Sequence, residues 1–207
     1  RVYLAEEDLT RRQVAIKELR HDLPEGRQRE ARERFEREIE VGSQLDHPHV
    51  VKMYTYERQD EDVYLVLEYM EGKSLRRRLD EEGPLPVDEA VRIAIEMCQA
   101  LDYVHNHPLD LVHRDVTPAN IMFTAAGTAK LMDFGVVQSP GHTFTRWAGS
   151  KREHPGHPFY RAPEACRSEP LRPSADLYML GCVLWEMLTG RTYKHQDPGT
   201  PPSAFRD

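Results

Sequence analysis

The order of patterns along this chain predicts an α+β fold in two parts. A small antiparallel sheet with one helix comes first, and a larger, mainly helical part follows. Three observations carry this. Short runs rich in branched and aromatic residues crowd into residues 1–70 around a single charged helical stretch. Gly72 then breaks the pattern. Beyond it, apolar residues recur at helical spacing.

Taken in order, residues 2–5 and 13–19 read as antiparallel strands with a turn through Asp8 to Arg12. The charged stretch from Arg27 to Leu45 reads as a helix, because Ala31, Phe35, Ile39 and Gly42 are spaced four, four and three apart and form one inward stripe. Val50 to Tyr56 and Val63 to Leu67 are two further strands. Pro84 and Pro86 stand just before the next helix, where proline is tolerated. That helix spans residues 87–105, with Ala90, Ala94, Met97, Leu101 and Val104 on its apolar face. Ile121 to Phe123 and Ala129 to Met132 are short strands flanking Gly127. Ser174 to Leu188 is the most hydrophobic helix and the expected centre of the second part. No internal repeat is present.

Composition narrows the function classes. The chain has 207 residues, 30% of them charged and 39% hydrophobic, which fits a globular protein. A formal charge of −7 argues against a general nucleic-acid binder. The densest basic run, Arg76-Arg77-Arg78, reads as the solvated face of a short helix. Cys98, Cys166 and Cys182 are odd in number and widely spaced, and read as buried thiols in a reducing compartment. The longest apolar run, Leu177 to Leu184, is too short to span a membrane.

Two short strings carry the chemistry. They are His113-Arg114-Asp115, with Asn120 five residues after the aspartate, and Asp133-Phe134-Gly135 beginning thirteen residues further on. Asp115 sits where a substrate hydroxyl could be oriented. Asn120 and Asp133 offer hard oxygen ligands of the kind magnesium prefers when it bridges nucleotide phosphates. Upstream, Val14-Ala15-Ile16-Lys17 reads as a buried strand ending in a lysine. Glu38, twenty-one residues later, borders the helix's inward stripe and can point at Lys17. A lysine held by a glutamate is a fixed cation suited to gripping phosphates. Phosphoryl transfer is therefore the first hypothesis.

Further strings complete the set. Leu45-Asp46-His47-Pro48 follows the charged helix, and Glu68-Tyr69-Met70-Glu71-Gly72 follows the last strand of the sheet. Ala162-Pro163-Glu164 closes the segment after Asp133, and Ser174-Ala175-Asp176-Leu177-Tyr178 opens the apolar helix. From residue 1 to about residue 190 the chain resembles the catalytic domain of eukaryotic-type protein kinases, most closely the bacterial serine/threonine kinases. The resemblance implies a two-lobed fold with an N-terminal lobe over 1–70, a C-terminal lobe over 71–207 and ATP between them. It also implies a fragment trimmed at both ends. The first glycine is Gly26, so the glycine-rich loop is absent, and the last helices of the second lobe are missing after Gly190. Such a piece is expected to be weak or inactive alone.

By the same resemblance, Lys17 contacts the α and β phosphates with Glu38 holding it, Asp115 is the catalytic base, and Asn120 and Asp133 bind Mg2+. The carbonyl of Glu68 and the N–H of Met70 read the adenine edge, Val2, Ala15 and Met122 sandwich the ring, and Leu67 guards the rear pocket. His113 and Phe134 stack in a structural column with Met53, in which Gly42 replaces a larger side chain. Asp176 is structural, accepting backbone N–H bonds from the loop around His113. The partners implied are a protein substrate bearing serine or threonine and a second copy during autophosphorylation, with no nucleic acid and a cytoplasmic setting. Ser139, Thr143, Thr145 and Ser150 are candidate phosphorylation sites, with Arg114 docking the phosphate. Three departures support the alternative of a nucleotide-binding pseudokinase scaffold, the first being Gly42 in the structural column. Thr117 stands where the family usually has lysine, and His157 stands where it usually has threonine. Lost positive charge at Thr117 would cost about 10²–10³ in rate, part of which His157 could restore when protonated.

Overall fold

The structure is a computed structural model that describes residues 1–19, 25–59, 62–134, 159–166 and 171–193. Four strands form one antiparallel sheet in the order β1-β2-β4-β3, with β1 at Val2–Glu6, β2 at Gln13–Glu18, β3 at Met53–Gln59 and β4 at Asp62–Glu68. Opposed residues of an antiparallel pair point to the same face. The pairings Val2 with Lys17, Leu4 with Ala15, Ala15 with Leu67 and Lys17 with Leu65 therefore place those side chains on one face. Helix α1, Glu25–Gly42, supplies the apolar stripe that covers this face. Phe35 packs with Leu19, Met53, Val63 and Leu65, and Ala31 and Ile39 flank them.

The expected helical part is present. It comprises α2 at Leu75–Glu82, α3 at Val87–His105 and α5 at Pro173–Thr189, with a short α4 at Pro163–Cys166. One face of α3 (Ala90, Ile93, Met97, Leu101 and Val104) is fully buried against Met179, Val183 and Met187 of α5 and Leu75 and Leu79 of α2. The exposed residues of α5, Leu177, Trp185 and Leu188, lie on its other side. Among the described residues no helix is long and apolar enough to cross a membrane.

A small hairpin, β5 at Ile121–Phe123 and β6 at Ala129–Leu131, joins the two parts. Leu131 accepts from Val51 N–H and donates to the carbonyl of His49, both at 2.9 Å, so the segment before β3 is stitched to β6. At the other side of the crossing, Gly72 donates its N–H to Phe123 O at 3.0 Å. A Cβ on residue 72 would stand 2.5 Å from that oxygen, and this close approach is why the position is glycine.

Two readings change. Cys98 is exposed, not in the core, because it lies one residue round the helix from fully buried Met97. Cys182 is buried as expected, and its thiol is pushed up to about 11 by burial, while the Cys166 side chain lies outside the described residues. The run Arg76–Arg78 is not a free basic face. Arg76 bonds Asp80 and Glu186, Arg77 bonds Glu81, and Arg78 bonds Glu82 and Glu89.

Candidate active site

Lys17 ends the face of β2 that turns toward α1. Its Nζ lies 2.7 Å from both carboxylate oxygens of Glu38 and 3.4 Å from Asp133 Oδ1. Burial opposes the charge on Lys17, but the carboxylates of Glu38 and Asp133 overcome it and hold the ammonium above its ordinary range. Glu38 is 7% exposed, and burial raises its pKa against the pull of Lys17. The result is a cation fixed in place beside a carboxylate that is still 40% exposed.

The loop that carries Asp115 is anchored by Asp176, which is fully buried near the start of α5. Its Oδ1 accepts the N–H of Arg114 and its Oδ2 the N–H of His113, each at 2.7 Å. These bonds hold Arg114 at a φ of 70°, a left-handed backbone that turns Asp115 out of the loop. His113 Nδ1 accepts the Asp115 N–H at 3.3 Å, which leaves Nε2 to donate to Met132 O at 3.1 Å. Its ring meets Phe134 edge-on at 4.9 Å, and Gly42 lies against Met53, two of the contacts expected of the column.

A 3-10 turn, Pro118–Asn120, carries Asn120 back under Asp115. The Asn120 amide nitrogen donates to both the backbone oxygen and Oδ2 of Asp115, each at 2.8 Å. With its nitrogen so engaged, the side-chain oxygen of Asn120 is its remaining donor atom toward a metal. An amide oxygen and the Asp133 carboxylate are the hard donor pair that suits Mg2+. Thr117 is buried beside this turn and brings no charge to it.

The residues expected around adenine fall in two groups. Val2, Ala15 and Leu67 share the Lys17 face of the sheet, with Val2 64% exposed. Met122 lies half-buried on β5, and buried Met70 lies in the crossing segment that follows Glu68. Gly135, Ser139, Thr143, Thr145, Ser150 and His157 lie outside the described residues.

Sequence reading missed four contacts. His105 Nε2 lies 2.8 Å from Asp176 Oδ2, making a third contact to that buried carboxylate. Glu186, 2% exposed, bonds Arg76 at 2.6 Å and the hydroxyl of Tyr160, tying α2 and the segment before α4 to α5. Lys130 Nζ lies 2.8 Å from each carboxylate oxygen of Glu68. The available signal was a charged or polar residue at a phase its element buries, as with Glu186 amid the apolar run of α5. A separate groove of about 500 Å³, lined by His47, Gln99, Asp102, Tyr103, Asn106, His107 and Pro108, contains none of the predicted site residues.

Comparison with known proteins gives the family. A family model described as "Protein kinase domain" matches residues 1–203. The serine/threonine-protein kinase PrkC of Bacillus subtilis is 38% identical over 190 residues, covering 92% of this chain and 28% of that protein. The serine/threonine-protein kinase PknB of Mycobacterium leprae is 35% identical, covering 98% of this chain and 34% of its own length. A probable serine/threonine-protein kinase PknB of Corynebacterium glutamicum is 34% identical with similar coverage, 99% and 33%. The chain thus spans about a third of the length of these curated relatives.

Proposed function

Because this chain belongs to the protein kinase family, we propose that it forms the catalytic part of an enzyme that transfers the γ-phosphate of ATP to serine or threonine hydroxyls of a protein. The observation that carries the reading is that Lys17 bonds Glu38 and Asp133, while Asn120, which accepts the N–H of Met132 beside Asp133, bonds Asp115. In this reading the lobes are residues 1–70 and 71–207, working at a cytoplasmic site.

The adenine lies against residues 68–70, between Val2 and Ala15 above and Met122 below, with its edge read by the Glu68 carbonyl and the Met70 N–H. Lys17 holds the phosphates, and Glu38 keeps its ammonium aimed. Asp115 orients the attacking hydroxyl and receives its proton, with Asn120 fixing one carboxylate oxygen so that the other is presented. Asn120 and Asp133 would hold Mg2+, which neutralises charge on the phosphates. Thr117 supplies no cation here, so turnover is expected to be slower than with a lysine at that position by about 10²–10³. Autophosphorylation of Thr143, Thr145 or Ser150 raises activity by adding an anion for Arg114. Arg114 directly precedes Asp115, so a phosphate paired with it would act beside that carboxylate. Arg114 is 5% exposed, and burial lowers its pKa to about 10, with the like charge of Arg37 acting the same way against Asp176. A fully active full-length protein unmodified at all three positions would refute this regulation.

The test is ATP-dependent phosphate incorporation into a general protein substrate by the full-length protein, beside Asp115→Asn. Incorporation should vanish in the variant while magnesium-dependent ATP binding persists. Undiminished incorporation by the variant, or ATP binding without transfer by the wild type, would overturn the reading.

A further inference from the structure

The contact between Lys130 and Glu68 lies outside the group of residues that meet phosphate or hydroxyl, yet it is built with care. Both oxygens of Glu68 are within 2.8 Å of Nζ, and one also accepts the N–H of Lys52 at 3.1 Å. The Lys52 carbonyl in turn accepts the Glu68 N–H at 2.8 Å. Lys52 directly follows Val51, which is bonded to Leu131 of β6. Glu68 is therefore fastened to β6 twice, through the lysine side chain and through the stitched segment. The Lys130 and Glu68 side chains are only 14% and 22% exposed, so salt and water screen the pair less than a surface bridge.

The far end of the same crossing segment is also held by this hairpin. Gly72 donates to Phe123 of β5, and Met122, the residue before Phe123, is paired directly with Lys130 across the hairpin. One two-stranded hairpin thus grips residues 68–72 at both ends. The Gly72 end is held by backbone alone. The Glu68 end adds to its backbone bond a side chain 62 residues away in sequence.

We propose that Lys130 is a positioning residue that clamps the 68–72 segment through Glu68 and so sets how long the site retains its nucleotide. The proposal rests on the reading that adenine binds against residues 68–70. Lys130 does not touch the phosphates or the substrate hydroxyl. Its removal should therefore act on nucleotide retention and leave the transfer step in place.

The experiment uses the full-length protein with Lys130→Gln and Lys130→Arg. Hydrogen exchange at amides 68–71, measured without nucleotide, should quicken about fivefold in Lys130→Gln. Release of a fluorescent ADP analogue and the KM for ATP should rise by a similar factor, with kcat within about twofold of wild type. Lys130→Arg, which can still span both oxygens, should behave as wild type. Exchange in α5 reports whether either variant has lost its fold, and Glu68→Gln should reproduce the quickened exchange of Lys130→Gln should the latter not fold. Unchanged exchange at 68–71 in a folded variant overturns the clamp. Quickened exchange with unchanged nucleotide release and KM overturns its bearing on the site. A wild-type protein that binds no magnesium nucleotide removes the adenine assignment instead, a result distinct from either.

Discussion

Replacing Asp176 by asparagine exchanges one oxygen for nitrogen, removes the charge and changes nothing in shape, yet it should be among the most damaging substitutions in the chain. The carboxylate is fully buried and accepts from two backbone N–H groups at 2.7 Å, with His105 Nε2 at 2.8 Å. An asparagine can turn its oxygen to only one of the two N–H groups. Its amide nitrogen then faces the other donor at a distance meant for a hydrogen bond. A hydrogen bond to a charged group contributes about 1.5–3 kcal/mol, and a buried donor left unsatisfied costs about 1–3 kcal/mol. Losing one such bond and stranding one donor gives about 3–5 kcal/mol, a large share of the roughly 5–15 kcal/mol typical of a folded domain. Urea unfolding followed by circular dichroism measures the loss through the shift in midpoint at constant slope. A change below about 1 kcal/mol would refute the reasoning, because it would mean that the three contacts do not discriminate an acceptor from a donor.

Two further outcomes follow from the glycines. Gly72→Ala places a methyl 2.5 Å from Phe123 O and 2.9 Å from Phe123 Cβ, so thermal unfolding should show a loss of about 1–3 kcal/mol. Gly42→Ala should do the reverse. Its Cβ would meet only the flexible Met53 side chain, at 3.3 Å from Sδ, and alanine in a helix gains about 0.5–1 kcal/mol over glycine, read as a raised melting temperature.

Local pattern carried most of the fold. The helix over 87–105 is legible because Ala90, Met97, Leu101 and Val104 keep one phase over about four turns, and the sheet strands because branched residues cluster between polar turns. The approach of Glu38 to Lys17 was legible too, since Glu38 borders a stripe whose partner face the strand pattern defines. Cys98 shows the limit of reading by element alone. Helix membership suggested burial, but its phase beside Met97 puts it outside. The contacts that escaped are long-range. His105 and Asp176 lie 71 residues apart and Lys130 and Glu68 lie 62 apart, and no periodicity connects residues across such distances. The arginine run was misread for the same reason, because Glu89 and Glu186 become its neighbours only once α2, α3 and α5 pack.

Of the non-glycine residues with positive φ among those described, two are Arg114 at 70° and Asp133 at 68°. Each adjoins or belongs to one of the two strings that first suggested the chemistry. A side chain held in that conformation costs on the order of 1–3 kcal/mol, which the rest of the fold must sustain. The domain therefore keeps a reserve of strain where its carboxylates must be aimed. Glycine at either position would relax the backbone and, in the same stroke, release the aim. Searches for sturdier versions of this chain should accordingly leave these two turns alone and look to sites such as Gly42, where an added methyl would meet only Met53.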